Sequence, residues 1–166
     1  MPKRSGSMSY ARQEYIHSKP PTRVTRFTVG ETSLDYEYKV TLVAPYSKEV
    51  SGKALEAARV TANKVIGAET GQQFLLKVLA YPHEITRAHR FMGFAGADRL
   101  SQGMKRSFGR PTERAAMARA DQPILAIYAM ASGVETAKKA LMRASKKLPL
   151  PCQVKVEALK KAPTAA

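Results

Sequence analysis

The sequence predicts an α+β domain in which two helices cover one side of a mixed β-sheet. Two segments carry apolar residues at helical spacing, and several shorter segments are alternating or continuously apolar, as strands are. The order strand, helix, strand occurs twice, on either side of a long basic stretch without apolar periodicity. With 166 residues, 44% of them hydrophobic, the chain can form one core without metal or disulfide links.

The first strand, helix, strand unit begins with alternating apolar residues over 34–42, which predict a strand with one wet face that ends before Pro45. Ser51 is a suitable N-cap for the helix that follows, and Gly67 is placed to end it. Alternation resumes over 74–80 and predicts the second strand. This unit therefore has both the periodicities and the stop signals of βαβ order.

The second unit begins with a continuous apolar strand over 124–130. Ser132 and Glu135 have the spacing of a capping box at the start of a helix, which Pro149 follows. Alternation over 152–157 predicts a last strand, and a further short strand is expected over 25–29. The outer face of the second helix carries Lys138, Lys139, Arg143 and Lys146.

The charge of the chain indicates a polyanionic partner. A formal net charge of +15 and a pI near 10.2 exceed what solubility requires, so nucleic acid is the leading candidate. A membrane surface is disfavoured, because no helix combines a cationic face with large apolar anchors. The single cysteine, Cys152, excludes an internal disulfide, and no apolar run resembles a span or signal peptide, so we expect a cytoplasmic protein.

The cations are concentrated in two segments that define the expected organisation. We expect a basic N-terminal arm over residues 1–24, then one RNA-binding domain over 25–160, and a tail over 161–166. The domain includes a long basic loop over 93–118, which is expected to be flexible and begins with GFAGADRLSQGMKRSFGRP. Its glycines allow close approach to a phosphate backbone, and arginine suits bidentate phosphate contacts.

Catalytic and metal-binding alternatives find less support in the sequence. His83 and His89 are six residues apart, whereas a helical zinc-protease motif needs a spacing of four. Asp98 could act as a base and Ser101 or Ser107 as a nucleophile, but none has a recognisable partner beside it. We therefore predict no catalytic residue and no metal site.

Glycines and aromatic residues in and beside the basic loop are further candidates for ligand contacts. Gly93, Gly96 and Gly103 do not match a phosphate-binding loop, so we predict no cofactor. Phe91, Phe94 and Phe108 could stack on unpaired bases or anchor the ends of the loop to the core. Anchoring is favoured for Phe91, and both roles stay open for the other two.

Several motifs resemble one family closely. The segments LEAARVTAN, YPHEITR, AGADRLSQGMKRSFGRP and KLPLPCQVKVE are similar to the universal large-subunit ribosomal protein called sixteen in bacteria and ten-e in archaea and eukaryotes, in its archaeal form. The resemblance covers about residues 10–157. It implies an α/β-hammerhead-type fold and a non-catalytic protein, monomeric within the ribosome.

The resemblance also implies the partners and the site. The protein would bind large-subunit ribosomal RNA near the aminoacyl-tRNA site, beside neighbouring ribosomal proteins, and its loop would help to position tRNA at the peptidyl-transferase centre. The RNA-binding residues implied are Arg12, Arg87, Arg90, Arg99, Lys105, Arg106, Arg110 and Arg114, with Gly96, Gly103 and Gly109 in the loop backbone.

The chain departs from the family pattern in two places, over 17–21 and over 112–114, so the paths of the arm and of the returning limb of the loop stay open. A rival hypothesis is an RNA-acting enzyme, such as a tRNA hydrolase or modifying enzyme, that uses Asp98 or a histidine in a basic cleft. An enzyme would lose turnover on substitution of Asp98, whereas a ribosomal protein would show none and would sediment with the large subunit.

Overall fold

The computed structural model describes residues 13–71, 73–89 and 109–159. These residues form two antiparallel β-sheets and two α-helices. The strands are β1 Thr28–Gly30, β2 Tyr38–Val43, β3 Lys48–Ser51, β4 Phe74–Val78, β5 Glu84–Ala88, β6 Arg110–Ala118, β7 Pro123–Ala129 and β8 Gln153–Ala158. The helices are α1 Gly52–Thr70 and α2 Val134–Ser145, with short 3-10 turns at Gln13–Tyr15 and Ala131–Gly133.

The larger sheet has the strand order β1-β4-β7-β2-β8. Together with the two helices, it confirms the predicted α+β class. The expectation of mixed pairing is wrong, because every neighbouring pair in this sheet is antiparallel. The two βαβ units interleave: β7 lies between β2 and β4, and β2 lies between β7 and β8. Strands joined through a helix therefore run in the same direction without being neighbours, which the order of elements along the chain does not reveal.

A smaller sheet has the order β3-β6-β5, and its central strand lies where the sequence predicted a loop. Residues 110–118 of the expected flexible loop form β6, a correction to that prediction, whereas 93–108 lie outside the described residues. Strand β6 has the sequence RPTERAAMA, in which short and charged side chains give no period-two signal. Its backbone hydrogen bonds to β3 and β5 make it a strand, and local pattern does not report such long-range pairing.

The sequence predicted three helix-end signals, and the structure confirms one of them. Ser51 caps α1, since its side chain accepts a hydrogen bond from the backbone N–H of Ala54 at 3.3 Å. Helix α1 continues past Gly67 to Thr70, and Gly71 with φ 62° follows it. The predicted capping box is also wrong, because α2 begins at Val134 after a 3-10 turn and has no side-chain cap.

The core lies between the helices and one face of the larger sheet. Val40 pairs with Ile127 and Leu42 with Leu125, and all four are fully buried. Leu141 of α2 is equally buried against this layer. The segment before β1 also packs on the domain, since Ile16 and Val24 are each 4% exposed. The described part of the predicted arm is therefore attached to the fold.

Candidate nucleic-acid interface

The β5–β6 ladder holds the two ends of the basic segment 90–108. Ala88 pairs with Arg110 and Arg87 with Pro111, so the chain leaves the ladder after β5 and re-enters it at β6 on the same side of the small sheet. Partners across an antiparallel ladder lie about 5 Å apart. The described residues on either side of this segment therefore lie close together at one end of the small sheet.

An irregularity in the ladder lies next to these arginines. The register shifts between Thr86 and Arg87. The hydroxyl of Thr86 donates to the carbonyl of Glu113, and the hydroxyl of Thr112 donates to the carbonyl of Thr86, each at 3.2 Å. These two bonds tie the strands together where the register changes. Because a β-bulge re-aims the side chains beside it, its position decides how Arg87 is presented.

Two predicted RNA-binding residues come together at the root of the segment. Arg87 and Arg110 occupy adjacent rungs of the β5–β6 ladder, where Arg110 is exposed and Arg87 is half-buried. Gly109, a predicted loop residue, is buried immediately before Arg110. Both arginines therefore lie at one end of the small sheet, where successive rungs direct their side chains to opposite faces. Each guanidinium group is suited to contact a separate phosphate.

Arg114 has an internal contact as well. Its Nε donates to the carbonyl of Pro20 at 2.7 Å, and the side chain is partly buried. Pro20 lies in the divergent segment 17–21 and Arg114 in the divergent segment 112–114. The segments 17–21 and 112–114, which the sequence analysis singled out, are therefore in direct contact in this fold.

The other predicted contact residues lie outside the described residues. They are Arg12, Arg90, Arg99, Lys105 and Arg106, together with the loop glycines Gly96 and Gly103. Asp98, Phe91, Phe94 and Phe108 lie in the same undescribed segment.

Two cations of helix α1, Arg59 and Lys53, contact other side chains of the fold. Arg59 is 9% exposed and donates to Glu56 through Nε at 2.9 Å and through Nη2 at 2.5 Å. Glu56 also accepts from the backbone N–H and the hydroxyl of Thr25. The Arg59 hydrogen bond, with help from Thr25, lowers the pKa of Glu56 against the opposing effect of burial. A salt bridge from Lys53 to Glu113 joins α1 to β6.

Helix α2 has an exposed basic surface, which the sequence predicted as the outer face of the second helix. We call it the α2 basic face: Lys138, Lys139, Arg143, Lys146 and Lys147, on α2 and the turn after it, all exposed. Within the part of the chain that the structure describes, none of these side chains forms a salt bridge. The signal was available in the sequence, since Glu135 is the only carboxylate between 134 and 147.

The described residues offer little for catalysis or metal binding. His83 contacts Glu84 through Nε2 at 3.3 Å and the carbonyl of Tyr81 through Nδ1 at 3.1 Å. Over residues 13–71, 73–89 and 109–159, no group of His, Cys, Asp and Glu is arranged to hold a metal ion. Burial raises the pKa of the Cys152 thiol to about 11, which keeps it in the unreactive protonated form. Neither described helix combines the length and hydropathy of a membrane span.

Comparison with known proteins identifies the family. The family model described as ribosomal protein L16p/L10e matches residues 5–155. Two archaeal proteins named large ribosomal subunit protein uL16 are similar over most of their length. The protein from Archaeoglobus fulgidus is 42% identical over 89% of this chain and 86% of its own, and that from Metallosphaera sedula is 41% identical over 94% and 91%.

Family membership also decides between the two hypotheses drawn from the sequence. A family match over residues 5–155 and relatives near 40% identity confirm the resemblance and its archaeal form. The rival hypothesis of an RNA-acting enzyme is wrong, because the matched relatives are named as ribosomal proteins. The chain therefore belongs to the ribosomal protein L16p/L10e family and is a structural, non-enzymatic protein of the large subunit of the cytoplasmic ribosome.

Proposed function

We propose that this protein binds large-subunit ribosomal RNA near the aminoacyl-tRNA site and helps to position tRNA at the peptidyl-transferase centre. The observation that carries the proposal is the β5–β6 ladder, which holds both ends of the basic segment 90–108 and places Arg87 and Arg110 at its root. In this proposal the hydrogen-bonded ladder fixes the root of the basic segment, and the segment contacts the RNA.

The charge of the segment suits such a role. Between residues 90 and 108 the sequence has one carboxylate, Asp98, against the cations Arg90, Arg99, Lys105 and Arg106. Three of these cations are arginines, whose planar guanidinium groups make bidentate contacts with phosphates and stack on bases. Two RNA molecules that meet at one site repel each other through their backbones, and cations between them reduce this repulsion.

In this proposal the protein supplies positioning and charge neutralisation, while RNA supplies the chemistry. Its partners are large-subunit ribosomal RNA, tRNA at the aminoacyl site and neighbouring ribosomal proteins, and one copy acts as a monomer within the ribosome. Thr86 and Thr112 hold the root through backbone carbonyls, so the orientation of Arg87 depends on the fold and not on the RNA alone.

Salt dependence tests the RNA-binding part of the proposal. The affinity of the full-length protein for large-subunit ribosomal RNA should fall with salt, with a log–log slope of about −0.7 to −0.9 per phosphate neutralised. Arg110→Ala should reduce the magnitude of the slope by roughly 0.7 to 0.9, because one exposed cation at the root is lost. Lys64→Ala removes an exposed cation from α1 and serves as the matched control. A flat salt response of the unaltered protein, or equal effects of both variants, would contradict the proposal.

The tRNA-positioning part has a separate test. Large subunits assembled with Arg106→Ala should contain the protein in normal amount but bind aminoacyl-tRNA more weakly, because the cation lost lies in the segment assigned to tRNA. Subunits with Lys64→Ala should bind tRNA as the unaltered ones do. Unchanged tRNA binding by the Arg106 variant would limit the function to RNA scaffolding.

A further inference from the structure

The α2 basic face is continuous along the helix. Lys139, Arg143 and Lys147 follow one another at intervals of four residues, and Lys138 and Lys146 lie beside them on the same side. Met142 lies among them and is 61% exposed. The opposite side carries Ala137, Leu141 and Ala144, which are fully buried. The five cations therefore form one surface that no other described element covers.

Several lysines elsewhere in the described residues have a carboxylate partner, whereas exposed Lys19 and Lys64 form no salt bridge there. The α2 basic face differs from both cases because five exposed cations without a salt bridge lie together on one helix and the turn after it. Lys39 contacts Glu157 at 3.3 Å, Lys155 lies 3.8 Å from Asp121, and Lys53 pairs with Glu113. On the α2 basic face, Glu135 is the only nearby carboxylate in sequence, and it makes no salt bridge within the described residues.

Helix stability accounts for only part of this arrangement. Cations in the last turn complement the helix dipole, which explains Arg143, Lys146 and Lys147. Lys138 and Lys139 lie in the middle of α2, where that effect has faded. Like charges four residues apart, as in Lys139 and Arg143, destabilise an isolated helix by a few tenths of a kcal/mol per pair. An external polyanion would remove this repulsion.

The α2 basic face is separate from the root of the basic segment. The Nζ of Lys48 donates to the carbonyl of Pro149 at 2.9 Å, which places the turn after α2 beside the start of β3. Lys48 pairs with Ala118, the end of β6 opposite Arg110. The nine residues of β6 span roughly 26 Å at about 3.3 Å per residue. The end of α2 therefore lies near the opposite end of the small sheet from the segment.

We propose that the α2 basic face is a second docking surface for ribosomal RNA, which binds the phosphate backbone of a helical RNA element. This inference rests on the proposed function and extends it to a surface near the opposite end of the small sheet. Four of the five cations are lysines, which act as point charges and suit phosphates more than base edges. The face carries no aromatic side chain on which an unpaired base could stack, so a duplex backbone fits it better than a single strand.

Two double variants with the same net charge test this surface. Lys139→Gln with Lys146→Gln removes two cations from the α2 basic face, whereas Lys64→Gln with Lys155→Gln removes two exposed lysines elsewhere. The first should reduce the magnitude of the salt slope for large-subunit ribosomal RNA by roughly 1.4 to 1.8, and the second should leave it unchanged. Thermal unfolding should be unaltered in both, because all four side chains are exposed.

Backbone probing of the RNA separates the two surfaces. The unaltered protein should protect two separate regions; the α2 variant should lose one and Arg110→Ala should weaken the other. If the unaltered protein fails to bind RNA, the proposed function fails. If it binds with a steep slope that the α2 variant retains, only the docking surface is refuted. Weaker incorporation into subunits with an unchanged RNA slope would assign the face to an acidic protein segment and would also overturn the inference.

Discussion

Helices α1 and α2 pack on the same face of the larger sheet, but their cations differ in whether they have internal carboxylate partners. On α1, Arg59 holds Glu56 and through it Thr25, and Lys53 reaches Glu113 of β6. On α2, the exposed cations make no salt bridge within the described residues. The comparison teaches that a basic helix face becomes a candidate binding surface when its cations lack nearby carboxylates.

The largest expected effect contrasts the two sides of α2. Leu141→Ala should lower the free energy of unfolding by about 2–5 kcal/mol, because it leaves a cavity in the core. Met142→Ala, one residue along on the exposed side, should change it by no more than about 0.5 kcal/mol. Urea unfolding of both variants measures the contrast. Similar losses for both would mean that the outer side of α2 is packed against another part of the chain.

The next effect contrasts the cations of the two helices. Arg59→Ala should cost about 1–3 kcal/mol, since it removes charged hydrogen bonds from a buried position and leaves Glu56 without its cation. Lys139→Ala removes an exposed cation of α2 and should cost less than about 0.5 kcal/mol. Unfolding curves at neutral pH test both values. Equal losses would remove the distinction between an internal and an outward cation.

A smaller effect appears in the pH dependence of stability. Because the folded state lowers the pKa of Glu56 below 4.5, the stability it contributes is fully present above 4.5 and is lost as pH falls through the folded value. The unaltered protein should exceed Glu56→Gln in stability above pH 4.5 and lose that advantage as the pH falls below 4.5. A constant difference between the unaltered protein and Glu56→Gln would show that Glu56 acts only by packing.

The smallest effect concerns Cys152, a half-buried thiol whose pKa is raised by partial burial. Burial raises the pKa of Cys152 to about 11, whereas the Arg59 hydrogen bond lowers that of Glu56. At about pH 8, roughly one Cys152 thiol in a thousand should be ionised, so alkylation should be slow in the folded protein and should accelerate in denaturant. Mass spectrometry after timed alkylation measures this. Rapid modification of the folded protein would mean that the start of β8 opens readily.

Local pattern predicted the elements of the large sheet well and those of the small sheet poorly. The strands at β4, β7 and β8, both helices and the Ser51 cap are apparent from periodicity or cap chemistry, which act over a few residues. Strand β6 has no such signal, since its partners lie in β3 and β5, and the ladder is made by backbone groups common to all residues. The candidate site was predicted by residue type, but the adjacency of Arg87 and Arg110 follows from that unpredicted ladder.

The sequence by itself determined the class of the fold, the excess of positive charge and the family, because composition, periodicity and motifs are properties of the chain alone. Only the tertiary structure decided how the two βαβ units interleave, where the basic segment is held, and which cations are neutralised. The physical reason is the sequence separation over which each interaction acts. Helical and strand periodicity depend on neighbours a few residues away, whereas Lys53 with Glu113, or Arg114 with Pro20, meet only after the chain has folded.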